Sequence, residues 1–256
     1  MLVFVTDRPT PTQLALRDLW TEIRAQARVL GGFVGVLWAI HIVNAIIFQG
    51  GLVALGIHPR SLGGLFGIFF APFLHGSFAH ISANTVPLVV LGALVMQRRK
   101  RDLLTVSVLS ALVGGLGTWL IAPSASVHVG ASILIFGYLG YLLLRGVFER
   151  RVWPIVGSVV AFFLYGGALW GVLPGQVGIS WQGHLFGLIG GILAARLLRT
   201  PPQSVSQTPR VPSAIQAALR DSLGRVLPPS GTRIASPPQE RESVEEELER
   251  LRHKRL

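Results

Sequence analysis

Six apolar stretches, at about residues 30–48, 67–96, 103–121, 130–144, 153–172 and 183–199, alternate with short polar and basic segments along the chain. Spanning a bilayer takes about 20 residues of helix. The pattern therefore predicts an all-α, polytopic membrane protein with six transmembrane helices. The second stretch is too long for one helix, and Pro72 places a loop or interfacial turn ahead of a helix that begins near Ser77. Beyond Arg199 the pattern gives way to Pro, Ser, Gln and Thr, as in TPPQSVSQTPR, which cannot bury enough apolar surface to fold alone. The expected organisation is a cytoplasmic N-terminal segment (1–29), a six-helix membrane domain (30–199) and a flexible, disordered cytoplasmic tail (200–256) that ends in a charged helix.

Composition agrees with the pattern: 50% of residues are hydrophobic and the mean hydropathy is +0.55. Charge then sets orientation, because cytoplasmic loops carry an excess of lysine and arginine. Arg24 and Arg28 precede the first helix, Arg98 to Arg101 separate the second and third, and Arg145, Arg150 and Arg151 separate the fourth and fifth. With Arg196 and Arg199 closing the sixth, both termini are expected inside, and only Arg60 of the 23 basic residues falls in an outer loop. The net charge of +11 is accounted for by this topology, so no nucleic-acid partner is needed. A positive-inside, Arg-, Ala- and Gly-rich chain points to a bacterial inner (plasma) membrane. Charged residues interrupt the first thirty positions, so the first helix is expected to be a retained anchor and not a cleaved signal.

Carboxylates are nearly missing from the spans. Between Ile23 and Glu149 there is only Asp102, and none follows until Asp221. Aspartyl proteolysis, an HExxH zinc site and carboxylate proton relays all lose their central group. The chain has no cysteine, which removes thiolate chemistry and cysteine-bound metals. No metal and no cofactor are expected. What remains at membrane depth is His75, His80 and Asn84 in HGSFAHISAN, Ser132 in GASI, and His184 in GHLFG. Polar groups are costly there and usually mark a functional site.

The second, fourth and sixth helices all run from outside to inside, so residues early in each share a depth. His80 and Asn84 are four apart and fall on one helical face. The fourth apolar run holds about 15 residues, roughly 22 Å against a core of about 30 Å. Its start is therefore expected below the outer surface, with Ser132 at the floor of a cavity. Gly187 and Gly191 on the sixth helix, with Gly137 and Gly140 on the fourth, have the small-residue spacing that permits close backbone packing.

Taken in order, HxxxxHxxxN at His75, His80 and Asn84, GxS at Gly130 and Ser132, and HxxGxxxG at His184, Gly187 and Gly191 make the chain resemble the rhomboid family of intramembrane serine proteases. The resemblance covers the six spans and not the tail. It implies a six-helix bundle with a water-accessible cavity open to the outer side. It also implies a dyad in which His184 takes the proton from Ser132, with His80 and Asn84 in the oxyanion site and His75 in support. The implied substrates are transmembrane proteins within the lipid bilayer. A catalytically inactive, client-binding relative is the alternative, and a channel is disfavoured because polar residues do not extend through the full bilayer depth.

Two positions depart from the family pattern. Ile133 stands where glycine commonly follows the nucleophile, and its branched side chain is expected to narrow the cavity or the helix packing. Phe136 replaces a tyrosine and keeps the face that stacks on the catalytic histidine. His41, Asn44 and His128 fall outside the motifs and are expected to pack or face solvent, His58 to Arg60 to shape the first outer loop, and Trp38, Trp119, Trp153, Trp170 and Trp181 to anchor at the interfaces.

Overall fold

Six long helices follow the apolar pattern in a computed structural model that describes residues 10–176 and 178–199. The expectations for the tail and its charged helix lie outside the described residues. In chain order the helices are α1 (Pro11–Ile46), α2 (Phe78–Met96), α3 (Lys100–Ile121), α4 (Ser132–Glu149), α5 (Val152–Tyr165), which runs on as a 3₁₀ segment (Gly166–Val172), and α6 (Trp181–Leu197). The described residues form no strand, only an isolated bridge between Ile57 and His128. Five helices, counting α5 with its extension as one, are long and apolar enough to cross a membrane. With 17 residues α6 reaches roughly 25 Å, just short of the core thickness.

Local chemistry sets the helix starts. α1 begins well ahead of its apolar run because Thr10 and Gln13 form a reciprocal capping box: the Thr10 N–H donates to Gln13 Oε1 at 2.9 Å and the Gln13 N–H to Thr10 Oγ1 at 3.3 Å, with Pro11 in the first turn. α2 starts where the sequence places it, since Ser77 Oγ accepts the His80 N–H at 3.1 Å. The chain before it turns through short helical pieces at Gly67–Phe70 and Ala71–Phe73. α4 is longer than its apolar run, 18 residues, because the helix continues through Arg145 and Glu149. Those side chains stay helical by pairing: Arg145 Nε donates to Glu149 Oε1 at 3.1 Å, and Arg98 reaches both Asp102, at 3.5 Å, and Glu149, at 3.9 Å.

This ionic cluster, together with the bond from Arg98 to the Leu198 carbonyl, gathers the ends of α2, α3, α4 and α6 at one end of the bundle. At the opposite end Arg60 ties the first loop to the end of α3 through the Leu120 carbonyl at 3.2 Å and through Ser124. There too Asn44 Oδ1 accepts the Leu52 N–H at 2.9 Å, closing the turn after α1. Of the tryptophans, Trp153 and Trp170 are exposed, whereas Trp38 and Trp119 donate to Thr85 and to the Ser61 carbonyl.

Helix α4 is the hub, with two thirds of its residues buried. Glycines let α6 approach both α4 and α3 backbone to backbone. A Cβ on Gly191 would strike the Gly137 carbonyl, one on Gly187 the Ile133 carbonyl, one on Gly140 the Leu188 carbonyl, and one on Gly190 the Leu109 carbonyl at 2.8 Å. The small-residue spacing read from the sequence is this seam.

Candidate active site

The end of the bundle opposite the ionic cluster contains a cavity of about 1030 Å³, lined among others by His80, Asn84, His128, Ser132, Phe136, Ser180 and His184. Ser132, His184, His80 and Asn84 thus meet in one space although they come from three helices. His75 lies just behind it.

Ser132 is the first residue of α4. Ahead of it Gly130 adopts φ +127°, a region where a side chain is strained. A Cβ there would also lie 2.8 Å from His80 Cε1 and Nε2 and 3.6 Å from Ser132 Oγ. The glycine of GxS is therefore required twice over, by its backbone angle and by the imidazole that fills the space beside it. The turn is pinned by the Gly130 N–H donating to the Ala71 carbonyl at 2.8 Å and the Ala131 N–H donating to His75 Nε2 at 3.3 Å. His75 is 1% exposed and touches His80 edge-on, with ring centroids 5.0 Å apart. It supports both the serine turn and the His80 ring.

Asn84 follows His80 by one helical turn, and its Nδ2 donates to the His80 carbonyl at 2.9 Å. Pro87, inside α2, also lines the cavity. Having no N–H, it releases the Ala83 carbonyl from the helical ladder on the cavity side. At the start of α4, Ala131 supplies no side-chain cap, and the first N–H groups of a helix have no intrahelical partner.

His184 sits in the first turn of α6, which is capped by Ser180. Its ring stacks on Phe136 at a centroid distance of 4.0 Å and an angle of 11°. Its Nδ1 lies 3.0 Å from the Gly171 carbonyl. A carbonyl only accepts, so Nδ1 carries the proton and Nε2 keeps its lone pair. A Cβ at Gly171 would stand 3.1 Å from both His184 Nδ1 and Phe136 Cζ, so the approach depends on glycine there too. Gly171 was not visible as a site residue in the sequence, since its contribution is a backbone oxygen. No hydrogen bond joins Ser132 to His184 among the described residues; in resting sites such bonds are often long and tighten on substrate binding.

Ile133 does not narrow the cavity. Its side chain is 5% exposed and fills the space over Gly114 of α3 and Gly183 of α6, with Cγ2 2.8 Å from a Cβ placed on Gly114 and Cγ1 3.1 Å from one placed on Gly183. One residue along a helix is a rotation of about 100°, which turns position 133 away from the face that carries Ser132. The bulk added beside the serine is matched by glycine beside the histidine.

Two other histidines are buried. His41 packs edge-on to Phe78 with centroids 4.6 Å apart, as expected of a packing residue, and both of its ring nitrogens lack a partner. His128 lines the cavity with both ring nitrogens bonded, Nδ1 to Ser180 Oγ and Nε2 to Ser126 Oγ, each at 2.7 Å. Burial holds its imidazole below the usual histidine range, which favours the neutral ring. No sequence motif marks this contact, which spans 52 positions.

The family model for the Rhomboid domain matches residues 62–201. An uncharacterized protein of Mycobacterium tuberculosis is 41% identical over 211 residues, covering 77% of this chain and 84% of that protein. YdcA of Bacillus subtilis is 32% identical over 127 residues, 48% of this chain and 62% of its own length. The rhomboid protease GluP of Bacillus subtilis is 31% identical over 156 residues, 59% of this chain and 30% of its own length.

Proposed function

The chain belongs to the rhomboid family, a family of intramembrane proteases, and on that premise we propose that it is an active serine endopeptidase that cuts transmembrane substrates with a Ser132–His184 dyad. The observation that carries the proposal is the setting of His184: stacked on Phe136, its proton held on Nδ1 by the Gly171 carbonyl, its Nε2 left as a base in the cavity that also receives Ser132. A neutral imidazole with a free Nε2 suits the role of general base.

Ser132 Oγ attacks the scissile carbonyl as His184 Nε2 takes its proton, and the imidazolium returns that proton to the leaving amine. A water deprotonated by the same nitrogen then releases the acyl group. The Ser132 N–H, the His80 ring and the Asn84 amide are the donors for the oxyanion, where losing one donor typically costs about 2.7–4 kcal/mol of transition-state stabilisation. The Gly171 carbonyl does the orienting work that a carboxylate does in three-residue sites.

Binding of membrane clients without cleavage is the second reading. Its sequence basis was Ile133, and a side chain directed into the α3–α6 contact lends it no support. In this proposal the ionic end of the bundle faces the cytoplasm of a bacterium, both termini are on that side, and the cavity opens outward; the placement of the basic residues supports this.

The test is cleavage of a reconstituted transmembrane substrate by the full chain beside Ser132→Ala and His184→Ala. Both substitutions are expected to reduce turnover to background. Cleavage that survives Ser132→Ala would remove the dyad.

A further inference from the structure

His128 is a buried polar residue on the cavity wall that the dyad leaves without a part. It holds segments that are far apart in sequence. Its backbone exchanges two hydrogen bonds with Ile57, each 3.0 Å, while its ring joins Ser126 and Ser180. The carbonyl at one end of this hydrogen-bonded chain sets its proton order. Ser126 Oγ donates to the Pro123 carbonyl at 2.5 Å, which uses its only proton, so it accepts from His128 Nε2–H. His128 Nδ1 is then an acceptor and takes the Ser180 hydroxyl proton. Ser180 keeps a lone pair for the Gly183 N–H, 3.3 Å away, which is the cap of α6. Each group in the chain serves in a role it can fill.

The place of this strap is as informative as its chemistry. His128 stands four residues ahead of Ser132, and Ser180 four residues ahead of His184. On the other side of the pair the same helices are locked where Gly187 meets the Ile133 carbonyl. The bond from His128 to Ser180 closes the loop end and the glycine contact closes the helical side, so Ser132 and His184 lie between two ties.

We propose that His128 is a positioning residue: by accepting the Ser180 hydroxyl it fixes the loop that delivers the nucleophile to the first turn of the helix that delivers the base. The inference rests on the reading of Ser132 and His184 as the reacting pair. A misplacement of about 1 Å between reacting groups can cost about 100-fold in rate, so a loosened strap lowers kcat and leaves KM nearly unchanged.

Two conservative substitutions separate the two ring contacts. In His128→Asn the amide stands where Nδ1 was and keeps an acceptor for Ser180. In His128→Gln the amide stands where Nε2 was and keeps only Ser126. With the full chain reconstituted in lipid and a transmembrane substrate, His128→Gln is expected to lose about 10- to 100-fold in kcat, and His128→Asn to recover most of it. Adding Ser180→Ala to His128→Gln should cost little more than Ser180→Ala alone, because both break the same bond. Equal kcat in the Asn and Gln variants, or an effect confined to KM, overturns the proposal.

Amide hydrogen exchange over 181–184 gives a readout that does not need activity. It should quicken in the Gln variant and not in the Asn variant, and identical exchange in both also overturns the proposal. If the unaltered chain fails to cleave, the dyad reading falls by that result while the exchange comparison still decides the strap.

Discussion

Helices α5 and α6 both lean on α4, by opposite means. α6 meets it backbone to backbone, with Gly187 and Gly191 set against the Ile133 and Gly137 carbonyls. α5 has a single buried residue, Ala161, and turns Trp153, Phe162 and Phe163 outward. Its firm contact is Ser158, whose hydroxyl donates to the Leu142 carbonyl at 2.6 Å and accepts the Gly146 N–H at 3.2 Å. Lipid is as apolar as leucine, so greasiness alone does not drive helices together in a membrane; close packing does. The seam is thus the rigid half and carries both proposed reacting residues, while α5 is the loosely held half and contributes one carbonyl, Gly171, at its end.

The largest effect is expected from Gly191→Val, which strikes the rigid half. The three nearest atoms a Cβ would meet there are all backbone of Gly137, so they cannot rotate away and the helices must part. Overpacking typically costs 1–3 kcal/mol and sometimes more; about 3 kcal/mol or more is expected here, read as loss of the folded species in a thermal melt. Ile133→Gly comes next. It empties the space over Gly114 and Gly183 and is expected to destabilise by about 2–5 kcal/mol, as large-to-small core changes do. It should lower cleavage. A rise in activity would mean that the isoleucine obstructs the site after all.

How much of this was legible in the sequence follows the same division. The spans, the α2 start at Ser77 and the glycines of the seam were readable, because periodicity, capping and small-residue spacing are properties of a short window. The gathering of Ser132, His184, His80 and Asn84 was readable from motif order and shared helix direction. The start of α1 was written in Thr10 and Gln13 but lies outside the apolar run that was used to place the helix. The true length of α4 was hidden because Arg145 and Glu149 look like a loop until Arg98, from another segment, joins Arg145 in pairing with Glu149. The direction of Ile133 follows from helix rotation alone, yet its fit depends on Gly114 and Gly183, two other parts of the chain. The Gly171 carbonyl and the His128–Ser180 bond had no local signal, since one is backbone and the other joins distant loops.

Phe136→Leu acts at the point where the two halves touch. It keeps α4 filled but removes the flat face beneath His184, leaving the Gly171 bond as the remaining hold on the ring. Aromatic pairs contribute about 0.5–1.5 kcal/mol beyond burial, so kcat is expected to fall about three- to tenfold with the melting temperature little changed. Phe136→Tyr should restore it. A melting temperature that falls with kcat would assign Phe136 to the seam instead of to the base.

The smallest effect belongs to the outer face of α5. Phe163 is 81% exposed, and its contact is the edge of the Phe162 ring, with centroids 5.8 Å apart. Facing lipid, Phe163→Ala exchanges one apolar surface for a smaller one and leaves no cavity, so stability should move by no more than about 0.5 kcal/mol. Cleavage should be close to that of the unaltered chain. Ser158→Ala, by contrast, removes the hydrogen bonds that the same helix makes to α4 and is expected to cost about 0.6 kcal/mol, a typical hydrogen bond between membrane helices. If Phe163→Ala proves as damaging as Ile133→Gly, the outer face of α5 must be covered in the membrane by another protein surface, and the loosely held half would be loose only in the isolated chain.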